Sequence, residues 1–201
     1  VLSNVKTRGI LGEIQLGAIL QELLTPDQYA ENIATRPGST QRVEFALKLP
    51  GDGEQPVWMP IDAKYPADAY EALLDAYDTA DPAQVDAAAK ELDRRVRSFA
   101  KDIHDKYIEP PATTDFGVMF LPVEGLYAEV VRRGTAQRIQ QDYKVVVAGP
   151  TTMSALLNSL QMGFRTLAIQ KRSGEVWGVL GRVRTEFDTF AKALSQTQNR
   201  L

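Results

Sequence analysis

Hydrophobic and polar positions alternate with changing period along this chain, and the changes mark its elements. Ile10, Ile14, Leu20 and Leu24, with Leu16 and Leu23 alongside, recur at helical spacing until Thr25-Pro26 ends the run, predicting an opening helix. A short strand is expected over 29–33, followed by the turn-like Arg36-Pro37-Gly38-Ser39. From 42 to 49 the period drops to two: Val43, Phe45, Leu47 and Leu49 take one face, and Arg42, Glu44, Ala46 and Lys48 the other. After the turn residues Pro50-Gly51-Asp52-Gly53, alternation resumes from 57 to 64, with Trp58, Pro60, Asp62 and Lys64 sharing a face. The two runs predict a β-hairpin, with Pro60 pointing to an edge or a bulge because proline donates no ladder hydrogen bond.

Helical spacing returns over 67–77. It starts again at Asp81-Pro82, a cap followed by a first-turn proline, and carries Val85, Leu92, Val96, Phe99, Ile103 and Tyr107 as a buried stripe up to Pro110-Pro111. The short apolar runs 118–121 and 145–148 read as buried parallel strands, with a helical stretch between them over 124–141. Pro150-Thr151 opens another amphipathic helix carrying Met153, Leu156, Leu157, Leu160, Phe164 and Leu167. In the last segment Val176, Leu180, Val183, Phe187, Phe190 and Leu194 step by 4, 3, 4, 3 and 4, the heptad spacing of a coiled coil, or of a terminal helix packed on its own domain. The expected organisation is one α/β core over 1–172 and a C-terminal helix over 173–201, the start of a coiled coil on the first of these two readings, with no internal repeat.

Composition narrows the chemistry. The 201 residues are 44% hydrophobic and 24% charged, with a net charge of −3, so any contact with nucleic acid must come from a local patch. There is no cysteine and a single histidine, His104, expected to be structural; this removes disulfides, thiolate sites and multi-histidine metal sites, and leaves carboxylates, lysine and hard cations. The absence of cysteine fits a reducing, cytoplasmic compartment. No stretch approaches the roughly 20 apolar residues that span a bilayer. The chain opens at Val1 and ends at Leu201 inside a helical pattern, as an excised segment would.

The hairpin holds the candidate chemistry. Pairing Leu49 with Val57 sets Glu44 opposite Asp62 and Arg42 opposite Lys64. Like charges facing each other across strands are destabilising, and a divalent cation is a good reason to keep them there. Lys64 lies on the same face as Asp62 and can neutralise a phosphate or help deprotonate water. Metal, carboxylates and lysine together suit in-line phosphodiester hydrolysis; a solvated polar sheet face is the alternative. A second Asp-x-Lys, Asp142-Tyr143-Lys144, reads as a surface strand start. Glu13 on the first helix reaches solvent or the site, and Glu124 is a first-turn helix residue or an outer support of the site. Lys90, Arg94, Arg97 and Lys101 form a basic stripe, either a solvated face or a track for a DNA backbone.

Gly12-Glu13, Glu44 and Pro60-Ile61-Asp62-Ala63-Lys64-Tyr65-Pro66 resemble the PD-(D/E)xK, restriction-endonuclease-like core, whose order of helix, three strands, helical crossover and strand matches the elements above. More specifically the chain resembles the RmuC family of DNA recombination proteins, through Gly12-Glu13-Ile14-Gln15-Leu16, residues 61–66, Val118-Met119-Phe120-Leu121-Pro122-Val123-Glu124 and Gly149-Pro150-Thr151-Thr152-Met153. The resemblance implies a Mg²⁺- or Mn²⁺-dependent deoxyribonuclease acting in DNA recombination or genome rearrangement, with Glu44 and Asp62 as metal ligands, Glu13 assisting through metal or water, and Lys64 orienting water or phosphate. It implies DNA as partner, and long coiled coils and an N-terminal anchor outside this chain, holding the protein at the inner face of a bacterial membrane. With the heptad spacing it also suggests a homo-oligomer through the C-terminal helix. One departure is that the family's Pro-Asp stands as Val43-Glu44, which keeps open a catalytically silent DNA-binding or assembly module. A nucleotide phosphohydrolase ranks last, because no Gly-rich phosphate loop is present.

Overall fold

In a computed structural model of the chain, residues 2–51 and 53–198 are described, without the side chains of 2–6, 168, 170, 171 and 193–198. Asp52 of the expected turn, the side chain of Leu194 and the terminal Leu201 lie outside the described residues. The opening helix, α1, spans Leu2–Leu23. Leu16, Leu20 and Leu24 at its end are buried, but Ile10 and Ile14 are exposed at 45% and 61%. At 100° per residue the two isoleucines point away from the Leu16–Leu20 side, and only that side meets the sheet. A short 3₁₀ turn, Pro26–Gln28, leads into β1, Tyr29–Ile33.

The hairpin strands are β2, Val43–Leu49, and β3, Val57–Ala63, paired antiparallel with Leu49 facing Val57 as the turn chemistry predicts. The helices α2, Ala67–Thr79, and α3, Pro82–Tyr107, cross over to β4, Gly117–Phe120. Asp81 caps α3 through the amide of Ala83 at 3.0 Å, with Pro82 in the first turn. Val85 and Phe99 are only half-buried at the margin of the α3 stripe, which Ala89 and Ala100 complete.

The helical stretch between the last two strands is divided into α4, Glu124–Arg132, and α5, Thr135–Tyr143. The break is Gly134, at φ 74°, a left-handed conformation that residues with a Cβ enter at a cost. Gly134→Val should therefore lower stability by about 1–2 kcal/mol, read as a drop in the urea midpoint with unchanged slope. The second Asp-x-Lys is likewise no strand start: Asp142 is in α5, paired with Arg97 at 3.2 Å, and Lys144 is its left-handed cap. The strand β5, Val145–Ala148, and the long helix α6, Pro150–Gln198, complete the chain.

The five strands lie in the order β1-β2-β3-β4-β5, antiparallel from β1 to β3 and parallel from β3 to β5. The chain is thus a mixed α/β fold, and the expectation of parallel strands for the apolar runs holds. Pro60 sits in a central strand, so the edge option fails. It falls where the neighbouring pairing breaks, between the Trp58↔Thr113 bridge and the Ile61↔Val118 ladder, so no rung on that side calls for the donor that proline lacks. One sheet face meets α1, where Gly17 lies against Phe45. The other meets α3, where Gly117 lies against Ile103 and Met119 joins the cluster around Leu92 and Val96. Two compact units result, residues 1–157 and 158–201. Among the described residues no helix is long and apolar enough to cross a membrane.

Candidate functional site

The antiparallel register runs from Leu49↔Val57 to Phe45↔Ile61, and there the two strands part. Beyond that rung β2 stays with β1, through Val43↔Ile33, while β3 stays with β4, through Asp62↔Met119 and Ala63↔Phe120. Glu44 and Asp62 are therefore not a ladder pair, as the hairpin register alone suggested. They stand at the mouth of a fork. The amide of Ala63, deprived of a β2 carbonyl, donates instead to Glu44 Oε2 at 2.8 Å.

Asp62 is enclosed, with its side chain 4% exposed, on the sheet face that α3 covers. Lys64 Nζ is 2.9 Å from Asp62 Oδ2, and its ammonium lies 5.6 Å from the centre of the Phe99 ring. The contact is a close ion pair, so the group that faces this buried oxygen is the Lys64 ammonium. Burial pushes Asp62 up from its usual range against the opposing pull of Lys64. Burial also pulls Lys64 down, but the charge of Asp62, the hydrogen bond to it and then the charge of Glu44 outweigh it and leave it raised. At neutral pH we take the pair as ionised, since the contact is short and an aspartate starts about three pH units below neutrality.

Glu44 is the perturbed member. Burial first, then the charge of Asp62 and to a lesser degree that of Glu13, push its carboxyl up to about 7, against the bond from Ala63 and the charge of Lys64. Glu13 is exposed on α1 and near enough to act on Glu44 by charge. Gly12 beside it packs near Pro122 and Ala63, where an added Cβ would meet Pro122 Cγ at 3.4 Å and Ala63 Cβ at 3.8 Å, ordinary contact distances. All four sequence candidates, Glu13, Glu44, Asp62 and Lys64, thus fall around the fork, linked by charge. Among the described residues no three Asp, Glu, His or Cys side chains form a ready ligand cage.

Sequence reasoning missed the contribution of α3. Phe99 lies under Lys64, Lys106 and Asp102 act on Asp62 by charge, and burial and the Asp62 charge raise the Tyr107 phenol. Buried Thr35 donates to the carbonyl of Tyr107 at 2.7 Å, tying the loop after β1 to this end of α3. Phe99 and Tyr107 were legible only as members of an apolar stripe, since helical spacing does not say which strand lies beneath. The basic stripe of α3 is neutralised in place: Lys90 by Asp86, Arg94 by Glu91, Arg97 by Asp142 and Lys101 by Asp105. His104 Nδ1 lies 2.9 Å from the carbonyl of Tyr143, a structural tie between α3 and α5. Glu124 accepts from the amide of Thr151 at 2.6 Å, so it caps the first turn of α6.

The RmuC family model matches residues 1–201, the whole chain. The proteins named DNA recombination protein RmuC homolog from Xylella fastidiosa strains Temecula1 and 9a5c are each 54% identical over 204 aligned residues, covering 100% of this chain and 45% of each relative. The chain therefore spans less than half the length of these curated relatives. No solved structure matches it. On a match that runs from its first residue to its last, the chain belongs to the RmuC family.

Proposed function

We propose that this chain is the nuclease domain of a DNA recombination protein, with a restriction-endonuclease-like core that hydrolyses a DNA phosphodiester bond using Mg²⁺ or Mn²⁺. The observation that carries the reading is the fork: two acidic side chains and a lysine gather where an antiparallel hairpin and a parallel arm separate. The order of α1, a three-strand meander, a helical crossover and a parallel strand supports the core assignment. The printed name of the Xylella relatives supports DNA recombination as the setting.

The donor set fits a hard cation. Mg²⁺ commonly takes one or two carboxylates and fills its other positions with water and phosphate, so a complete protein cage is not required. Asp62 is a buried carboxylate whose close partner is the Lys64 ammonium, and the raised Glu44 carboxyl is one whose charged form a cation would favour. Glu44 and Asp62 would hold the ion, which supplies charge neutralisation and a more acidic bound water. Lys64 holds Asp62 ionised and presents its ammonium to a phosphate oxygen. Glu13, at the rim, accepts a proton or steadies a water.

One observation favours a second reading, a silent DNA-binding or assembly module: Asp62 is enclosed beneath α3. The test is calorimetric titration of Mn²⁺ into wild type and Asp62→Asn, with and without a DNA duplex, followed by cleavage of labelled DNA. Metal-dependent cleavage that falls at least ~10²-fold in the variant supports the nuclease. Salt-sensitive DNA binding with neither metal uptake nor cleavage supports the silent module.

A further inference from the structure

The part of α6 beyond residue 157 carries a continuous apolar seam that faces solvent. Met162, Ile169, Val176, Val183 and Phe190 recur every seventh residue, and the described exposures in this row run from 43% to 70%. A second row, Thr166, Ser173, Leu180 and Phe187, falls between them at the alternating three- and four-residue steps. A helix with two such rows supercoils against another helix; alone in water it has nothing to bury.

We infer that the seam is closed by a second copy of this chain, running antiparallel and centred near Gly178. This rests on the reading of the C-terminal helix as a coiled coil and is independent of the nuclease assignment. Residue size decides the direction. The seam is bulky at its C-terminal end, with Phe187 and Phe190, and slim at its N-terminal end, with Thr166 and Ser173. A parallel pair in register stacks Phe on Phe and Ser on Ser, overfilling one end and leaving a void at the other. Reversal puts Phe190 over Thr166, Phe187 over Ile169 and Val183 over Ser173, with Leu180 over Val176 at the centre, so layer volumes even out.

Two hollows on the helix match that register. One is framed by Val183, Glu186, Phe187 and Phe190, the four-residue hole that a coiled-coil knob enters, and receives Ile169 of the other copy. The second, around Ser173, Val176 and Trp177, receives Val183 and Leu180 of the other copy. Charge agrees at the flanks, where Arg172 of each copy meets Glu186 of the other. The outermost flanking positions are Arg165 and Ala193 in the sequence and add no further charge pair.

Since the chain has no cysteine, single substitutions report the arrangement cleanly. The axis lies at position 178, beside Val179 at the flank of the seam, so Val179→Cys in the full chain is expected to oxidise to a disulfide dimer. Position 190 of the two copies is roughly 36 Å apart at 1.5 Å per residue, so Phe190→Cys is expected not to link. Light scattering should give twice the chain mass for wild type and one chain mass for Leu180→Asp, with the melting of the α/β core unchanged. A linked Phe190→Cys dimer would overturn the antiparallel arrangement. A dimer in which neither variant links would place the interface elsewhere, and a wild-type monomer at ~100 µM would remove the second copy altogether.

Discussion

Glu44→Gln should make the metal-free protein more stable at pH 8, by about 2–3 kcal/mol, and flatten its stability between pH 4.5 and 7. The carboxyl of Glu44 is pushed up from 4.5 to about 7 in the folded chain by burial and by the charge of Asp62. A raised carboxyl binds its proton more tightly when folded than when unfolded, so stability falls as pH rises from 4.5 through 7 and the penalty is complete above 7. At ~1.4 kcal/mol per pH unit the cost is about 3 kcal/mol, and about 2 once solvent around the half-buried side chain is allowed for. Glutamine keeps an acceptor for the Ala63 amide and carries no charge, so it removes the penalty without breaking the bond. For a chain of this size the gain is ~4–12 °C in melting temperature, measured in EDTA at pH 5 and pH 8. With saturating Mn²⁺ the order should reverse, since only wild type can use the charge. Equal melting at pH 8 would show that Glu44 is not buried as a charge beside Asp62.

Lys64→Ala should cost about 3–5 kcal/mol at pH 8, because it strands Asp62 as a buried charge whose side chain is 4% exposed. Asp62 is already raised by burial against the pull of Lys64, and losing that pull raises it further. A folded-state carboxyl raised in this way destabilises above its unfolded value, near 4, and the penalty is relieved as pH falls. The variant should therefore approach wild-type stability near pH 4–5. The pair Asp62→Asn with Lys64→Met should cost less than Lys64→Ala alone, since no charge remains to be buried. A denaturant series on the four proteins gives the coupling directly. If Lys64→Ala loses no stability at pH 8, Asp62 is reached by water and the enclosed site described above is wrong. If the nuclease reading holds, the same variant loses cleavage by at least ~10²-fold even at pH values where it is fully folded.

The hairpin register shows how far local pattern reaches. Alternation over Val43–Leu49 and Val57–Ala63, with turn residues between, sets Leu49 against Val57 with no help from the rest of the molecule. Because side chains alternate strictly, Glu44, Asp62 and Lys64 then share a face. The amphipathic stripe of α3 and the cap at Asp81-Pro82 are equally local. The candidate site was therefore readable as a set of residues before any tertiary structure was known.

Its character was not. Spacing gives a helix its period but not which of two apolar sides meets a neighbour, so Ile10 and Ile14 were indistinguishable from Leu16 and Leu20 until α1 lay on the sheet. Spacing gives a strand its faces but not where it leaves its partner. The fork after Phe45↔Ile61 follows from β2 keeping β1 while β3 keeps β4, a competition between pairings far apart in sequence. The basic stripe of α3 was legible as charge, but its neutralisation of Arg97 needed Asp142 from another helix. By itself the sequence determined the periods, turns, caps and family motifs, because those depend on residues within a few positions of one another. Only the tertiary structure decided that Asp62 is enclosed, that Glu44 bears the electrostatic cost and that α3 covers them, because burial and charge pairing are set by elements that meet only when the chain has folded.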